Sequence, residues 1–311
     1  MNQLQSVFKL TGQGNDFIVY LAQNRRIEFT VDSIRRLCDR HYGIGSDGFI
    51  IARKPEEISD RSQPYEICAE MELFNADGSL AEISGNGIRC LGKVLWDANW
   101  AQGDAALIAS ASGIRKLVLR EVVDDNTSNL SVEMGDAVLE KELAVEDLGW
   151  IGGEVLHKVR RAYQLRIGNP HCVLVVDDVS EIDLDYIGEL AQAQFPSGIN
   201  LEIISEVPPK NMKIFSGDYL PDNETPDGLG GSSIFMRVFE RGVGLTLACG
   251  SGSCAAALCS SILGISDRNV DVINPGGTLN VSLNGSSACL SGPVVSIGAI
   301  ETTLLEQEYR Y

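Results

Sequence analysis

The sequence predicts two similar α/β lobes made by duplication, and three observations carry the prediction. The chain has 311 residues, room for about two domains of ordinary size. Runs of alternating apolar residues are interleaved with runs whose apolar residues recur every three or four positions, the periods of strand and helix. And "MELFNADGSLAEISGNG", starting at Met71, returns as "MRVFERGVGLTLACGSG" at Met236, without a gap and at a constant offset of 165 residues. In that alignment Phe74 meets Phe239, Gly85 meets Gly250, Gly87 meets Gly252, and Ser84 falls opposite Cys249. Asn75 falls opposite Glu240, and Gly78 opposite Val243 is a mismatch. A repeat this long is a duplicated domain, not a solenoid unit.

Taken in order, the first lobe should hold strands over 4–10, 16–21, 48–53, 65–74 and 105–111, with helices over 31–39 and 86–99. The second should hold strands over 131–135, 161–167, 171–177, 200–206 and 234–239, with helices over 183–195 and 251–264. "GNDFIVY" (14–20) and "GNPHCVLVVDD" (168–178) are a weaker echo, each a Gly-Asn turn entering an apolar, β-branched run. Residues 278–300 alternate in short apolar runs and read as strands. The stretch 208–233 is rich in Pro, Gly and Asp and reads as a long surface loop.

Composition excludes some function classes. Hydrophobic residues make up 44% and charged residues 22%, a globular balance that supports a core in each lobe. A net charge of −18 argues against nucleic acid and anionic membrane as partners, since both require a basic surface. Acidity is read as solubility. No run is long enough for a transmembrane helix, and the N-terminal residues lack the apolar core of a signal peptide. The eight cysteines form no disulfide framework and no CxxC pair. Cys249, Cys254 and Cys259 lie five apart with no nearby His, which is not zinc spacing, so no metal is expected. A cytoplasmic protein with free thiols is the expectation.

Each repeated motif is a strand, an irregular loop and a helix that begins at the Gly-rich turn. First-turn N–H groups have no intrahelical partner and favour anions, including the carboxylate of an amino acid. The same field should lower the pKa of Cys249 and let it act as a base. Either motif alone is an ordinary helix N-terminus, and neither completes a nucleotide-binding fingerprint. Together, two pseudo-symmetric termini aimed at a cleft between the lobes would set two acid/base groups on opposite faces of one small molecule. Inversion at a tetrahedral carbon requires that arrangement, one group removing the Cα proton and the other delivering a proton from the far side. No organic cofactor or metal is needed for it.

The segments "GNDF" (14–17), "FNADGSLAEISGNGIRC" (74–90), "GNPH" (168–171), "GINLE" (198–202), "ERGVG" (240–244) and "ACGSGSCAA" (248–256) occur in the order found in diaminopimelate epimerases, and the chain resembles that family over most of its length. The resemblance implies an α/β (α+β) fold of two pseudo-symmetric lobes, each a mixed or antiparallel sheet wrapped around a central helix, with the active site in the cleft between them. It implies a discontinuous first lobe, 1–123 plus 293–311, and a second lobe, 124–292. It implies an isomerase independent of pyridoxal phosphate, with no cofactor, that interconverts LL- and meso-diaminopimelate for lysine and peptidoglycan biosynthesis in the cytoplasm. A small amino acid is the expected partner, and a homodimer is left open as the assembly.

Carried over by position, Cys249 is one catalytic base/acid and position 84 the other. Asn15, Asn75, Asn169, Asn200, Glu240 and Arg241 would hold the distal end of the substrate, the guanidinium pairing with a carboxylate. Gly85, Asn86, Gly250 and Ser251 would offer backbone N–H groups to the carboxylate at the reacting end. His171 is either a cleft residue or a structural histidine that caps its loop. The departure is Ser84, since the family has a cysteine there and the repeat with Cys249 independently predicts one. A serine hydroxyl is scarcely ionised without an adjacent base. Cys90 should face along its helix and not take the serine's place. Ser84 is read as replacing a catalytic cysteine, which leaves the epimerase impaired. Three other readings stay open: an epimerase or racemase of another polar amino acid, a one-base dehydratase or lyase using Cys249, and a non-catalytic amino-acid binder.

Overall fold

A computed structural model describes residues 5–22, 29–55, 67–81, 84–209 and 232–303. The chain divides into two compact units, Met1–Val132 with Pro293–Tyr311, and Glu133–Gly292.

The first unit begins with strands β1 (Gln5–Gly12) and β2 (Asn15–Ala22), followed by helix α1 (Val31–Cys38) and strands β3 (Gly48–Arg53) and β4 (Ile67–Asn75). Helix α2 (Gly85–Asp97) and strands β5 (Ala105–Ser110), β6 (Gly113–Val122) and β7 (Thr127–Asp136) complete it. The strands are neighbours in chain order. β2 and β3 run parallel, Phe17 opposite Gly48, and their near-continuous apolar runs are buried, as expected where both faces of a strand are covered. α1 starts where Thr30 accepts a hydrogen bond from Ser33 N, an N-cap that satisfies one orphan donor. Because β7 forms a hairpin with β6, the first unit reaches Val132.

The second unit has β8 (Val138–Glu142), two short helical turns (Val145–Ile151 and α3, Gly153–Leu156), β9 (Val159–Ile167) and β10 (Asn169–Val176). Helix α4 (Leu184–Gln194), β11 (Asn200–Ser205), β12 (Ser232–Glu240), the short β13 (Gly244–Thr246) and helix α5 (Gly250–Ile262) follow. β14 (Asn269–Asn274), β15 (Gly277–Asn284) and β16 (Ser287–Thr302) end the sheet. β16 pairs first with β15 and then, from Val295 onward, with β1 of the first unit.

The units repeat each other element by element. β4 and β12 are nine residues each, α2 and α5 thirteen each, and both pairs keep the offset read from the sequence. In the first unit β1–β2 is antiparallel, β2–β3 parallel, β3–β4 antiparallel, β4–β5 parallel, and β5–β6 and β6–β7 antiparallel. The series from β9 to β16 runs in the same sense. The Gly-Asn echo is structural too. Gly14 and Gly168 both have positive φ, 79° and 74°, a region glycine enters without steric cost, and an eight-residue strand starts at the asparagine after each.

α2 packs on β1, β2, β3 and β6, and α5 on β9, β10, β11, β12, β14 and β15. Eleven consecutive residues of each helix are buried, the mark of a helix enclosed on all sides. Each unit is therefore a mixed sheet around a central helix, an α+β arrangement.

Every helix and strand read from periodicity is present, with ends shifted by up to four residues. Residues 4 and 65–66 lie outside the described residues, as does 210–231 of the expected surface loop. Ser232 and Ser233, assigned to that loop, open β12 instead. Among the strands missed, β6 buries only Leu117 and β8 is wholly exposed, so neither carries a clean apolar alternation. Among the described residues, no helix is long and apolar enough to cross a membrane.

Candidate active site

Ser84 and Cys249 are the N-caps of the two central helices. Ser84 has extended backbone angles and its Oγ accepts from Gly87 N at 3.0 Å. Cys249 is also extended, and its Sγ accepts from Gly252 N at 3.4 Å. The duplication thus places a polar or nucleophilic atom at the positive end of each buried helix.

In the first unit, Gly85 and Asn86 form the first turn of α2. The Asn86 side chain turns inward, where its Oδ1 accepts from Arg89 Nη2 at 2.6 Å. Arg89 is fully buried and also donates to Gln13 Oε1 at 2.8 Å and Pro293 O at 3.3 Å. It ties the Gly12–Asn15 turn and the last strand to the helix start. Asn15 donates from Nδ2 to Asp47 Oδ2 at 2.8 Å, and Asp47 O accepts from Ala76 N at 3.1 Å. Asn75 donates from Nδ2 to Ser79 Oγ at 3.0 Å, and Ser79 Oγ in turn donates to Asp77. The first unit therefore brings Asn15 and the end of β4 together. Beneath them, Asp16 bonds to Arg40 and to buried Lys9. Burial opposes ionisation of Asp16, but those two cations outweigh it and hold the carboxyl well below the usual range. A hollow of about 240 Å³, mostly apolar, adjoins Ser84, with Leu73, Leu80, Ile88 and Ser110 in its wall.

In the second unit, Gly250 and Ser251 follow Cys249 in the first turn of α5, and Ser251 Oγ lies 3.5 Å from Cys249 Sγ. Glu240 ends β12; its carboxylate accepts from Thr246 Oγ1 at 2.5 Å and is within hydrogen-bonding reach of the Cys249 thiol. Asn200 accepts from Arg241 N at 3.0 Å and donates to Pro170 O at 3.1 Å. Arg241 lays its stem over Gly198 and donates to Ser197 O at 3.4 Å. His171 is fully buried, with Nδ1 2.7 Å from Glu202 Oε1 and Nε2 2.9 Å from Asn169 Oδ1. His171 thus links Asn169 at the start of β10 to Glu202 on β11 through a buried polar chain.

The expected lowering of the Cys249 pKa is not met. Burial pushes the thiol well above its ordinary value, and the Glu240 and Glu202 carboxylates add to the rise. The bonds from Ser251 and Gly252 work in the opposite direction but are weaker. A helix N-terminus stabilises a thiolate where water reaches it; here desolvation and two nearby anions outweigh the helix field. Burial likewise raises the carboxyl of Glu240, against the bonds from Thr246 and Cys249. Cys90 is fully buried and pushed up to about 12 by desolvation, consistent with a thiol that does not face the turn.

Sequence reasoning missed Glu202, Asp47, Gln13 and Arg89 as supports of these residues. The one available signal was a charged residue inside the otherwise apolar run "NLEIIS". Among the described residues, no three or more His, Cys, Asp or Glu side chains gather as a metal site.

Duplicate α+β units, each a mixed sheet around a buried helix, make a fold that recurs among solved epimerases and phenazine-biosynthesis proteins. A PhzF-family protein of Bacillus anthracis superposes with a TM-score of 0.66 at 12% identity, covering 96% of this chain and 99% of that one. A hydroxyproline epimerase from Agrobacterium vitis gives 0.61 at 12% identity, covering 96% and 92%. At such identities the likeness shows the fold alone. The sequence is more specific: residues 7–140 and 163–297 match the family model for diaminopimelate epimerase. The chain is 34% identical over 307 residues to the diaminopimelate epimerase of Synechococcus elongatus, covering 93% of this chain and 95% of that one. It is 30% identical over 300 residues to that of Leptospira biflexa, again covering 93% and 95%. The chain belongs to the diaminopimelate epimerase family.

Proposed function

We propose that the chain is a cofactor-independent epimerase scaffold for LL- and meso-diaminopimelate, serving lysine biosynthesis in the cytoplasm. The observation that carries this reading is the repeated N-cap: Ser84 and Cys249 occupy equivalent places on equivalent helices, in a chain of this family. In the proposed reaction these two positions supply the two acid/base groups that address opposite faces of the substrate Cα. Backbone N–H groups of Gly85, Asn86, Gly250 and Ser251 take the carboxylate at the reacting end and stabilise charge as it develops.

The distal zwitterion is shared among the asparagines. Asn15 and Asn75 each commit an amide hydrogen to a neighbour, which leaves their carbonyl oxygens for an ammonium group. Asn169 commits its oxygen to His171, which leaves its NH₂ for a carboxylate, beside Arg241 and the second N–H of Asn200. In this reading Glu240 takes the Cys249 proton when a substrate enters. A homodimer is the assembly that goes with this reading.

Position 84 limits the chemistry. Loss of one general acid/base group costs about 10²–10⁴-fold in rate, so this chain should turn over slowly. The test is solvent deuterium exchange at Cα of diaminopimelate, with the unmodified chain and Ser84→Cys side by side. Exchange and epimerisation should rise with the thiol; a folded Ser84→Cys chain that shows neither refutes the reading. Ser84 itself favours a second reading, one-base elimination of water from a hydroxylated amino acid by Cys249. That product should then form with the unmodified chain and vanish in Cys249→Ser.

A further inference from the structure

The reaction proposed above makes no use of the hollow beside Ser84. Its volume is about 240 Å³, and its wall includes Met71 and Leu73 of β4, Leu80, Ile88 of α2 and the β5–β6 turn at Ser110 and Ser112. A water takes up about 30 Å³ of liquid, so there is room for a ligand of about eight non-hydrogen atoms. The polar side chains of β4 and the turn are engaged with neighbours. Glu72, between Met71 and Leu73, bonds to Arg53 of β3. Ser110 donates to Gly113 O at 2.9 Å, so its contact with Ser112 Oγ at 3.1 Å is a bond that Ser112 donates.

Arg115 stands at the edge of this hollow. It lies on β6 two residues before Leu117, which packs on Gly92 of α2, so both side chains take the helix side of the strand. Its Nη2 donates to Ser112 O at 3.0 Å, in the wall, and its Nε is buried with no hydrogen-bond partner. The guanidinium is half-buried, and desolvation alone moves its pKa, downward. Among the described residues, no carboxylate offsets its charge. An unmet donor on a cation withdrawn from water is costly until an acceptor reaches it.

We propose that the hollow is a binding site for a short aliphatic carboxylate, with its chain against Met71, Leu73, Leu80 and Ile88 and its carboxylate on the guanidinium of Arg115. A pocket with apolar walls and one well-placed polar group is the usual form of a small-molecule site. A carboxylate supplies the missing acceptor and the missing charge together. An alcohol supplies the acceptor alone, and an ammonium group is repelled.

The test is calorimetry at neutral pH with hexanoate, whose size matches the hollow, beside hexan-1-ol and acetate. Hexanoate should bind one to one. Hexan-1-ol, with the chain and no charge, should bind about tenfold more weakly, the low end for a hydrogen bond to a charged group. Acetate, with the charge and almost no chain, should bind about a hundredfold more weakly, for the buried CH₂ groups it lacks. Arg115→Met keeps a stem and should bring hexanoate down to the level of hexan-1-ol, with hexan-1-ol itself unchanged. Absence of hexanoate binding, equal affinities for hexanoate and hexan-1-ol, or full hexanoate affinity in Arg115→Met overturns the inference. If Arg115→Met does not fold, ¹⁵N spectra of the unmodified chain decide: hexanoate should shift the Arg115 Nε–H and the amides of Ser110 and Ser112. Binding that leaves those signals in place overturns the inference as well. No arm needs turnover, so this inference and the functional reading stand or fall separately.

Discussion

Gly87 and Gly252 are equivalent in the duplication, each the third residue of a central helix, yet alanine should be tolerated at one and not the other. A Cβ at 252 would sit 2.6 Å from Glu202 Oε1 and 3.2 Å from Glu202 Cδ. Glu202 is fully buried and bonded to His171, so relief requires breaking that bond or displacing the helix start. A hydrogen bond to a charged group is worth about 1.5–3 kcal/mol, and the gain from replacing glycine in a helix offsets about 1 kcal/mol of it. Gly252→Ala should therefore destabilise by about 0.5–2 kcal/mol. A Cβ at 87 would meet Phe17 Cε1 and Ser84 Oγ at 3.3 Å each, which a shift of a few tenths of an ångström relieves. Its overpacking cost of about 1 kcal/mol nearly cancels the helix gain, so Gly87→Ala should be close to neutral. Urea unfolding resolves the difference, with Trp96 and Trp150 reporting the first and second units. Equal effects at the two positions, or a stabilised Gly252→Ala, would refute the argument that Glu202 is pinned by the helix.

Other outcomes follow from the same geometry. Glu240→Gln removes an anion that disfavours the thiolate, so the Cys249 pKa should fall. At fixed pH its alkylation should speed up about tenfold for each unit, with mass spectrometry locating the label; an unchanged rate would show that burial alone sets the thiol. Asp16 is held low by Arg40 and Lys9 against burial, so its stabilisation is present above the unfolded pKa of about 3.9 and is lost as pH falls through the lower folded value. Asp16→Asn should cost about 3 kcal/mol at neutral pH, because it leaves Lys9 without its carboxylate, and the gap from the unmodified chain should narrow below about pH 4 in urea titrations. Ser84→Ala removes the bond to Gly87 N and should cost about 1 kcal/mol, seen as a lower Tm for the first unit.

Much of this architecture was legible before any coordinates. The 165-residue offset that joins Ser84 to Cys249 also joins β4 to β12 and α2 to α5, because a duplicated sequence carries its apolar period and its turn chemistry with it. Gly14 and Gly168 marked their turns for the same local reason. What escaped was weak or distant. The exposed β8 has little apolar pattern, and the carboxylate partners of Asn15 and His171, Asp47 and Glu202, lie about 30 residues away in sequence.

By itself, then, the sequence determined the duplicated units, the central helices and the two N-caps, since these depend on residues within a few positions of one another. It also placed the serine at 84. Only the tertiary structure decided the state of Cys249 and the surroundings of His171. Burial and the approach of Glu202 and Glu240 depend on strands brought together across the sheet. The electrostatics of a buried site follow from those distances and from the exclusion of water, and local sequence encodes neither.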